Sequence, residues 1–175
     1  MRETAARELY TEGRDLAKRA VSSWWTNSEL ASLLFSPNPH ITVGLAVPPN
    51  QFDAIHAAHG SPRLAQVPPD QDAKEFELHF ADGVAIDMLT SKDPVGSGVI
   101  ARYLARFGQG IQQVEVRCQN LERATEILRE NFGVAPVYPA KRPGADGTRI
   151  NFFLVGVPEG GKVLIELYEP SEPSH

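Results

Sequence analysis

An isolated carboxylate lies in the last strand-like run of the chain, residues 162–168. Successive side chains of a strand point to opposite faces, so Val163, Ile165 and Leu167 share an apolar face while Glu166 projects from the other. Such a carboxylate either faces solvent or lines a polar cavity in which it binds a metal ion or moves a proton. The choice between these interpretations depends on what the other strands carry.

Three further strand-like runs show the same division into a polar and an apolar face. Their polar positions are Gln113, Glu115 and Arg117 in the run 111–118, Asp87 in the run 84–89, and His40 and Thr42 in the run 40–47. A sheet curved so that these faces converge would form a cupped site with helices packed on its outer side. We therefore expect the four strands to contribute to one site.

Composition and charge restrict the functional class. The chain has 175 residues, of which 42% are hydrophobic, and a formal net charge of -5. Its lysines and arginines are scattered, so neither nucleic acid nor a membrane surface is an expected partner. The single cysteine, Cys118, excludes an intrachain disulfide and is expected to be a small buried hydrophobe. Without a run long enough to span a bilayer or a signal-peptide core, we predict a cytoplasmic location.

Residues 1–39 are predicted to be a helical extension. The pattern favours an amphipathic helix over 3–25 and a second helix that begins at Asn27-Ser28 and ends before Pro37. The Ser36-Pro37-Asn38-Pro39 stretch marks the boundary with the rest of the chain. Paired tryptophans, here Trp24 and Trp25, often anchor interfaces, so we expect packing or dimerisation, and specifically a homodimer.

After this boundary the predicted elements repeat. Module one, residues 40–95, has a strand at 40–47, a helix at 50–59, an extended piece at 63–67 and strands at 74–81 and 84–90. Module two, residues 108–169, has a strand at 111–118, a helix from Leu121 to Asn131, an extended piece at 134–138 and strands at 148–155 and 162–169. A helix from Gly98 to Phe107 connects them. The sequence predicts an α+β fold of paired βαβββ modules forming a cupped mixed sheet within a domain spanning 40–175, preceded by the helical extension.

Several segments resemble the vicinal oxygen chelate superfamily, and within it methylmalonyl-CoA epimerase. Residues 107–113, FGQGIQQ, are similar to the family's GxGIHH segment, and residues 143–152 are similar to GxxGxRINF. Residues 161–167 resemble GxLIEL, 42–47 resemble HVGIAV, and 86–89 resemble IELL. The resemblance covers residues 40 to 169.

This resemblance implies a divalent metal ion held by one residue from each of four strands. The corresponding positions are Thr42, Asp87, Gln113 and Glu166, so both histidines of the family are replaced. Two carboxylates, a hydroxyl and an amide favour hard ions such as Mg²⁺, Mn²⁺ or Ca²⁺ over Zn²⁺. We expect a divalent ion, which could also be Co²⁺, to be weakly bound or absent. If the register of the first strand were shifted by two residues, His40 would take the ligand position of Thr42.

The resemblance also implies a glutamate base that removes the proton next to a thioester carbonyl. Glu77 matches by strand order and facing, and Glu115, next to Gln113 on the inward face, is the candidate in module two. The alternatives are an exposed strand face for Glu77 and an ion pair with Arg117 for Glu115.

Two functions follow from these residues. The first is an isomerase or epimerase-like enzyme that transfers a proton next to a carbonyl of a small carboxylate or acyl thioester. The second is a metal-free small-molecule-binding protein of the same fold. Extradiol dioxygenase and glyoxalase I chemistry are disfavoured because the imidazole ligands are missing.

Overall fold

The computed structural model describes residues 1–171. Its helices are α1 (Glu3–Ala20), α2 (Ser28–Phe35), α3 (Pro49–Ala58), α4 (Val99–Phe107) and α5 (Leu121–Phe132). Its strands are β1 (Ile41–Ala46), β2 (Lys74–His79), β3 (Ala85–Thr90), β4 (Gly110–Arg117), β5 (Arg142–Pro143), β6 (Arg149–Gly156) and β7 (Lys162–Glu169). In this part of the chain, no helix combines the length and apolar character needed to cross a membrane.

The N-terminal helix is shorter than predicted. The chain leaves the helical conformation at Val21 (φ -101°, ψ 14°), and a 3-10 helix follows over Ser22–Thr26. This tight turn directs Trp24 inward, where only 2% of the residue is exposed. Helix α2 begins where predicted, since the Asn27 side chain caps it by accepting a hydrogen bond from the Leu30 amide at 2.9 Å.

Two compact units make up the chain. Unit 1 contains Met1–Gly13 and Thr42–Gln112, and unit 2 contains Arg14–Ile41 and the residues from Gln113 onward. The predicted division into an extension, 1–39, and a domain, 40–175, remains a prediction.

Unit 1 has the strand order β2-β3-β1. Strand β1 runs parallel to β3, with Gly44 opposite Asp87, and β2 runs antiparallel to β3, with Glu77 opposite Asp87. One face of these strands forms an apolar core with helix α3 and the start of α1; this core contains Val43, Leu45, Phe52, Phe76, Ile86 and Met88. Gly13 of α1 lies so close to β1 that a Cβ added there would be 2.7 Å from both Val43 methyl groups. The missing side chain therefore lets the helix backbone approach the strand.

Unit 2 has the strand order β4-β7-β6-β5. Strand β4 runs parallel to β7, whereas β6 is antiparallel to both β7 and β5. Helix α5 packs on β6 and β7 and also contacts α2. The Asn120 side chain caps its start, and Gly133 ends it in the left-handed region at φ 64°. The apolar faces of β4 and β7 supply Val114, Val116, Ile165 and Leu167 to the buried core.

The observed elements confirm the predicted α+β fold, with two local differences. The segments 63–67 and 134–138 are not strands, although the Ala65 amide donates to the Glu75 carbonyl and the Val137 amide to the Phe152 carbonyl. Module two gains instead the two-residue strand β5. Prolines at 62, 68, 136 and 139 limit ladder pairing around the extended segments because proline has no amide proton.

Candidate functional site

Three of the predicted site residues share one face of the unit 1 strands. Asp87 of β3 lies opposite Glu77 of β2 and opposite Gly44 of β1. Thr42 precedes Gly44 by two residues, so its side chain projects from the same face. Asp87 and Thr42 are buried, with 4% and 9% of their surface exposed. The strand register thus brings two of the predicted metal positions and one predicted base together.

Glu77 is the exposed member of this face. Its carboxylate Oε2 lies 2.8 Å from His79 Nε2, and 49% of the Glu77 side chain and 68% of the His79 side chain are accessible. His40, the predicted alternative to Thr42, is exposed, and its carbonyl accepts a hydrogen bond from the Arg117 amide. Neither histidine is buried as a metal-ligating imidazole of an enclosed site would be.

Unit 2 places three further predicted residues on one face. Glu115 of β4 lies opposite Glu166 of β7, and Gln113 precedes Glu115 by two residues on the same face. Gln113 Nε2 donates a hydrogen bond to Glu166 Oε2 at 3.1 Å. Gln113 and Glu115 are each only 8% exposed. Two carboxylates are therefore close neighbours on adjacent strands, and an amide fixes one of them.

Arg117 does not form the ion pair considered for Glu115. Its side chain is exposed and makes no salt bridge or hydrogen bond within residues 1–171. The buried positions on this face of β4 therefore carry an amide and a carboxylate, and the cation of Arg117 lies at the solvent-exposed end of the strand.

Sequence reasoning missed an aromatic and cationic wall beside Glu166. Phe152 of β6 lies opposite Glu166, and its ring packs edge to face against Tyr138 with 6.0 Å between the ring centres. The Arg142 guanidinium lies over the Tyr138 ring, 4.4 Å from its centre. The alternation of β6 could have placed Phe152 on this face. Nothing in the local pattern indicated that Tyr138 and Arg142 join it.

The chemistry of the predicted ligand residues indicates which metal ions they could bind. Within residues 1–171 there is no group of three or more His, Cys, Asp and Glu residues arranged to hold a metal ion. The oxygens of Thr42 and Asp87 in unit 1, and of Gln113 and Glu166 in unit 2, are hard donors. These types suit Mg²⁺, Mn²⁺ or Ca²⁺ and are a poor match for Zn²⁺.

Cys118 contributes to packing. It is fully buried, and this burial raises the pKa of the thiol to about 12. A thiol with such a high pKa is not ionised near neutral pH, so the cysteine is not an available nucleophile. The prediction of a small buried hydrophobe is in agreement with this position.

Comparisons with known proteins identify relatives of this fold. No family model and no curated protein sequence matches the chain. A solved structure of methylmalonyl-CoA epimerase from Mycobacterium tuberculosis is 32% identical and superposes with a TM-score of 0.60, covering 81% of this chain and 89% of that one. Methylmalonyl-CoA epimerase from Streptomyces coelicolor in complex with 2-nitronate-propionyl-CoA is 19% identical, with a TM-score of 0.56 and coverage of 80% and 98%. At this lower identity the second likeness concerns the fold alone.

A third structure, a methylmalonyl-CoA epimerase in complex with methylmalonyl-CoA and NH4+, is 20% identical with a TM-score of 0.55, and it covers 81% of this chain and 98% of that one. The element order and the identity to the mycobacterial enzyme support the resemblance carried by the motifs at residues 42–47, 107–113, 143–152 and 161–167. The chain belongs to the vicinal oxygen chelate superfamily, among its methylmalonyl-CoA epimerase-like members.

Proposed function

We propose that this protein is an epimerase-like enzyme that transfers a proton next to the carbonyl of a carboxylated acyl thioester. The observation that supports it most is the buried face of unit 2, where Glu115 and Glu166 lie opposite each other and Gln113 donates to Glu166. A general base works best when burial or a like charge keeps its proton affinity near the working pH. Glu115 has both of these surroundings.

The residues of unit 2 can be given distinct roles. We assign Glu115 as the base, because it is buried and adjacent to a second carboxylate. Gln113 orients Glu166 through its 3.1 Å hydrogen bond. Phe152 and Tyr138 form an apolar border that excludes water from the reacting carbon, and Arg142 provides a cation for an anionic group of the substrate. Glu77 remains the candidate base of unit 1.

A metal ion is part of this proposal because the family resemblance implies one. The proposed oxygen ligands are Thr42 and Asp87 in unit 1 and Gln113 and Glu166 in unit 2, and we expect a hard divalent ion to be weakly bound or absent. When bound, such an ion would neutralise charge that develops on the carbonyl oxygen. The homodimer and the cytoplasmic location are likewise proposals, and sedimentation of the purified protein tests the first of them.

The ligands of two relatives support a proposal for the substrate class. Two of the similar epimerases are solved with methylmalonyl-CoA or with 2-nitronate-propionyl-CoA. We extend this ligand class to the present chain because the buried face presents carboxylates for proton transfer and the neighbouring wall presents Arg142. A 2-substituted malonyl thioester combines the acidic carbon with the anionic group that these residues require.

Solvent exchange tests the activity. Methylmalonyl-CoA incubated with the protein in deuterated water should gain deuterium at the α-carbon, detected by mass spectrometry, whereas butyryl-CoA, which lacks the carboxylate, should exchange much more slowly. Elemental analysis of protein purified without chelator gives the metal content, and we expect no tightly bound zinc. Absence of exchange with either thioester, with and without added Mg²⁺ or Mn²⁺, would contradict an enzymatic role.

A binding function is the second candidate. The replacement of both family histidines and the Arg142-Tyr138-Phe152 wall favour it, since these groups can hold an anionic or aromatic ligand without chemistry. It predicts saturable binding of methylmalonyl-CoA in calorimetry without any deuterium incorporation.

A further inference from the structure

The strand register divides the polar face of unit 2 into three rows. The middle row holds the proposed proton-transfer residues, since Glu166 of β7 lies opposite Glu115 of β4 on one side and opposite Phe152 of β6 on the other. Side chains two residues apart on a strand share a face and are separated by about 6.6 Å along it. One row therefore lies at that distance on each side of the carboxylates.

The first outer row is cationic. Arg117 and Ile150 both lie opposite Tyr168. Arg142 lies opposite Ile150, so an arginine stands at each end of this row. The Arg142 guanidinium is held over the Tyr138 ring. Two cations on the same side of the carboxylates favour the anionic groups of a substrate at this end of the face.

The second outer row is apolar. Leu154 of β6 lies opposite Leu164 of β7, and the two residues alternate on the same face with Phe152 and Glu166. Leu164 is partly buried, whereas 52% of Leu154 is exposed. A Cβ added at Gly156, the next position of β6 on this face, would have no heavy atom of residues 1–171 within 4 Å. Leu154 and Leu164 thus form a leucine strip directly beside the carboxylates, and its far end is open.

We propose that the leucine strip binds the alkyl substituent of the reacting carbon, so that the preferred substrate is a malonyl thioester whose 2-substituent is longer than methyl. This inference rests on the proposed function, which places the reacting carbon beside Glu115 and Glu166. A methyl group on that carbon is too short to cross the spacing between the rows, whereas a butyl chain reaches the leucines. The arginine row attracts the anionic groups of the substrate, and the alkyl chain is then directed to the opposite end of the face.

The chemistry of the strip favours an alkyl chain over the thioester arm of coenzyme A. That arm contains amides, and leucine side chains offer them no hydrogen bond. Burying an amide without a partner costs free energy, whereas burying methylene groups is favourable. A fully buried methylene contributes about fourfold to affinity, and on this half-open strip we expect about twofold for each methylene.

The dependence on chain length is the first test. Deuterium exchange gives kcat/KM for methylmalonyl-CoA and for butylmalonyl-CoA, and the value for butylmalonyl-CoA should be higher by about eightfold, because three methylenes are added. Calorimetry with the Glu115→Gln variant measures the affinity for both thioesters without turnover and should show the same preference. Exchange of both thioesters with equal kcat/KM and equal affinity would overturn the role of the leucine strip and leave the proposed function intact.

Leu154→Asn tests where the preference arises. This variant should reduce the ratio of kcat/KM for butylmalonyl-CoA to that for methylmalonyl-CoA from about eightfold to about twofold or less. It is expected to fold, since Leu154 is half exposed, and thermal unfolding verifies this. Leu64→Asn is the matched control, because Leu64 is 39% exposed and lies in unit 1. The control should keep the full ratio.

The outcomes separate this proposal from the proposed function. Equal weakening of both thioesters by Leu154→Asn would place the thioester arm on the strip and overturn the proposal. A dimer that Leu154→Asn converts to monomers, with the ratio unchanged, would identify a second copy as the occupant and also overturn it. Tighter binding of butylmalonyl-CoA that depends on Leu154, without exchange of either thioester, would contradict the enzymatic role and support the ligand class. Binding of neither thioester would overturn both proposals.

Discussion

The polar faces of the two units differ although their strands are built on one pattern. In unit 1, buried Asp87 lies opposite Glu77, whose half-exposed carboxylate is paired with an exposed histidine. In unit 2, Glu166 lies opposite Glu115, which is buried, and the Gln113 amide donates to Glu166. The same alternation of side chains thus produces a solvated Glu–His contact in one unit, and in the other a buried glutamate opposite a partly buried one.

Burial, more than residue type, therefore distinguishes the two candidate bases. Glu77 is a half-exposed carboxylate in contact with His79, and water can reach it. Glu115 is buried, and Glu166 lies opposite it on the adjacent strand. Burial and a neighbouring like charge are the surroundings in which active sites place a general base. This contrast between the units can be tested directly.

The largest expected effect is on proton transfer. Glu115→Gln should reduce deuterium exchange into methylmalonyl-CoA by roughly 10²–10⁴-fold, the typical contribution of a general base. Glu77→Gln should reduce it less, because the Glu77 side chain is half exposed. Both variants should fold, since the substitution conserves volume. A larger loss of exchange in Glu77→Gln than in Glu115→Gln would place the base in unit 1, where the resemblance to the family predicts it.

The opposite face of the unit 2 strands should be chemically inert. With the pKa of Cys118 raised to about 12 by burial, iodoacetamide at pH 8 should alkylate the native thiol roughly 10³-fold more slowly than the unfolded chain. The unfolded thiol loses its proton near pH 8.5, whereas the folded thiol retains it. The free energy of unfolding should therefore decrease as the pH rises from about 9 towards 12. Rapid alkylation of the native protein at pH 8 would show that this face opens.

A buried polar anchor in unit 2 should matter more for stability than a partly buried one in unit 1. Asn151 is 1% exposed and holds Tyr138 through two hydrogen bonds of 3.1 Å, one from the Tyr138 amide and one to its carbonyl. Asn151→Ala should lower stability by about 2 kcal/mol, because it leaves both backbone groups unsatisfied, and should reduce the Tm by roughly 4–8 °C.

Asp72 is the matched comparison in unit 1. Its carboxylate accepts hydrogen bonds from the Lys92 and Asp93 amides at 2.8 and 2.9 Å, but it is only partly buried. Asp72→Asn keeps one side-chain oxygen that can accept from these amides, and water can still reach them. Calorimetry should therefore show a smaller loss of Tm than for Asn151→Ala. A larger loss would mean that the loop after β3 contributes more to stability than its exposure indicates.

The smallest effect should come from a surface ion pair of unit 2. The Arg123 guanidinium lies 2.7 and 2.8 Å from the two Glu29 oxygens and lowers the pKa of that carboxyl. Because both side chains are exposed, water screens the interaction, and Glu29→Gln should change the Tm by no more than about 2 °C. What stability the pair adds is present above the ordinary carboxyl pKa and is lost as the pH falls through the lowered value. A larger change at neutral pH would show that α2 and α5 depend on this contact.

Much of the architecture follows from local sequence. The alternation in β4 and β7 predicted which residues share the face of Glu166, and the Asn27 and Gly133 signals predicted the start of α2 and the end of α5. The break after Ala20 was not predicted, since it depends on the burial of Trp24. The Gly13 position was not predicted either, because a glycine inside a helix is explained only by its contact with Val43.

The sequence predicts which residues share a strand face, and it does not predict how exposed each of them is. Strand alternation brings Glu115 and Glu166 to one face, but exposure depends on which loops and helices cover each face. For this reason the sequence favoured Glu77, by strand order and facing, and could not show that Glu77 is half exposed while Glu115 is buried. The wall of Tyr138 and Arg142 depends on a loop whose path is set by Asn151, a tertiary contact without a sequence pattern.

Two of the hairpins of the fold have an identical tripeptide in their turns. Ala81-Asp82-Gly83 connects β2 to β3 and Ala145-Asp146-Gly147 connects β5 to β6, with Asp at φ 61° and 53° and Gly at φ 75° and 76°. Asp-Gly with both residues in the left-handed region is the turn that matches the twist of paired strands. Because each turn is set by neighbouring residues, its hairpin can form within about 1–10 μs, before any distant contact. Each unit therefore carries a local folding start that needs no information from the other.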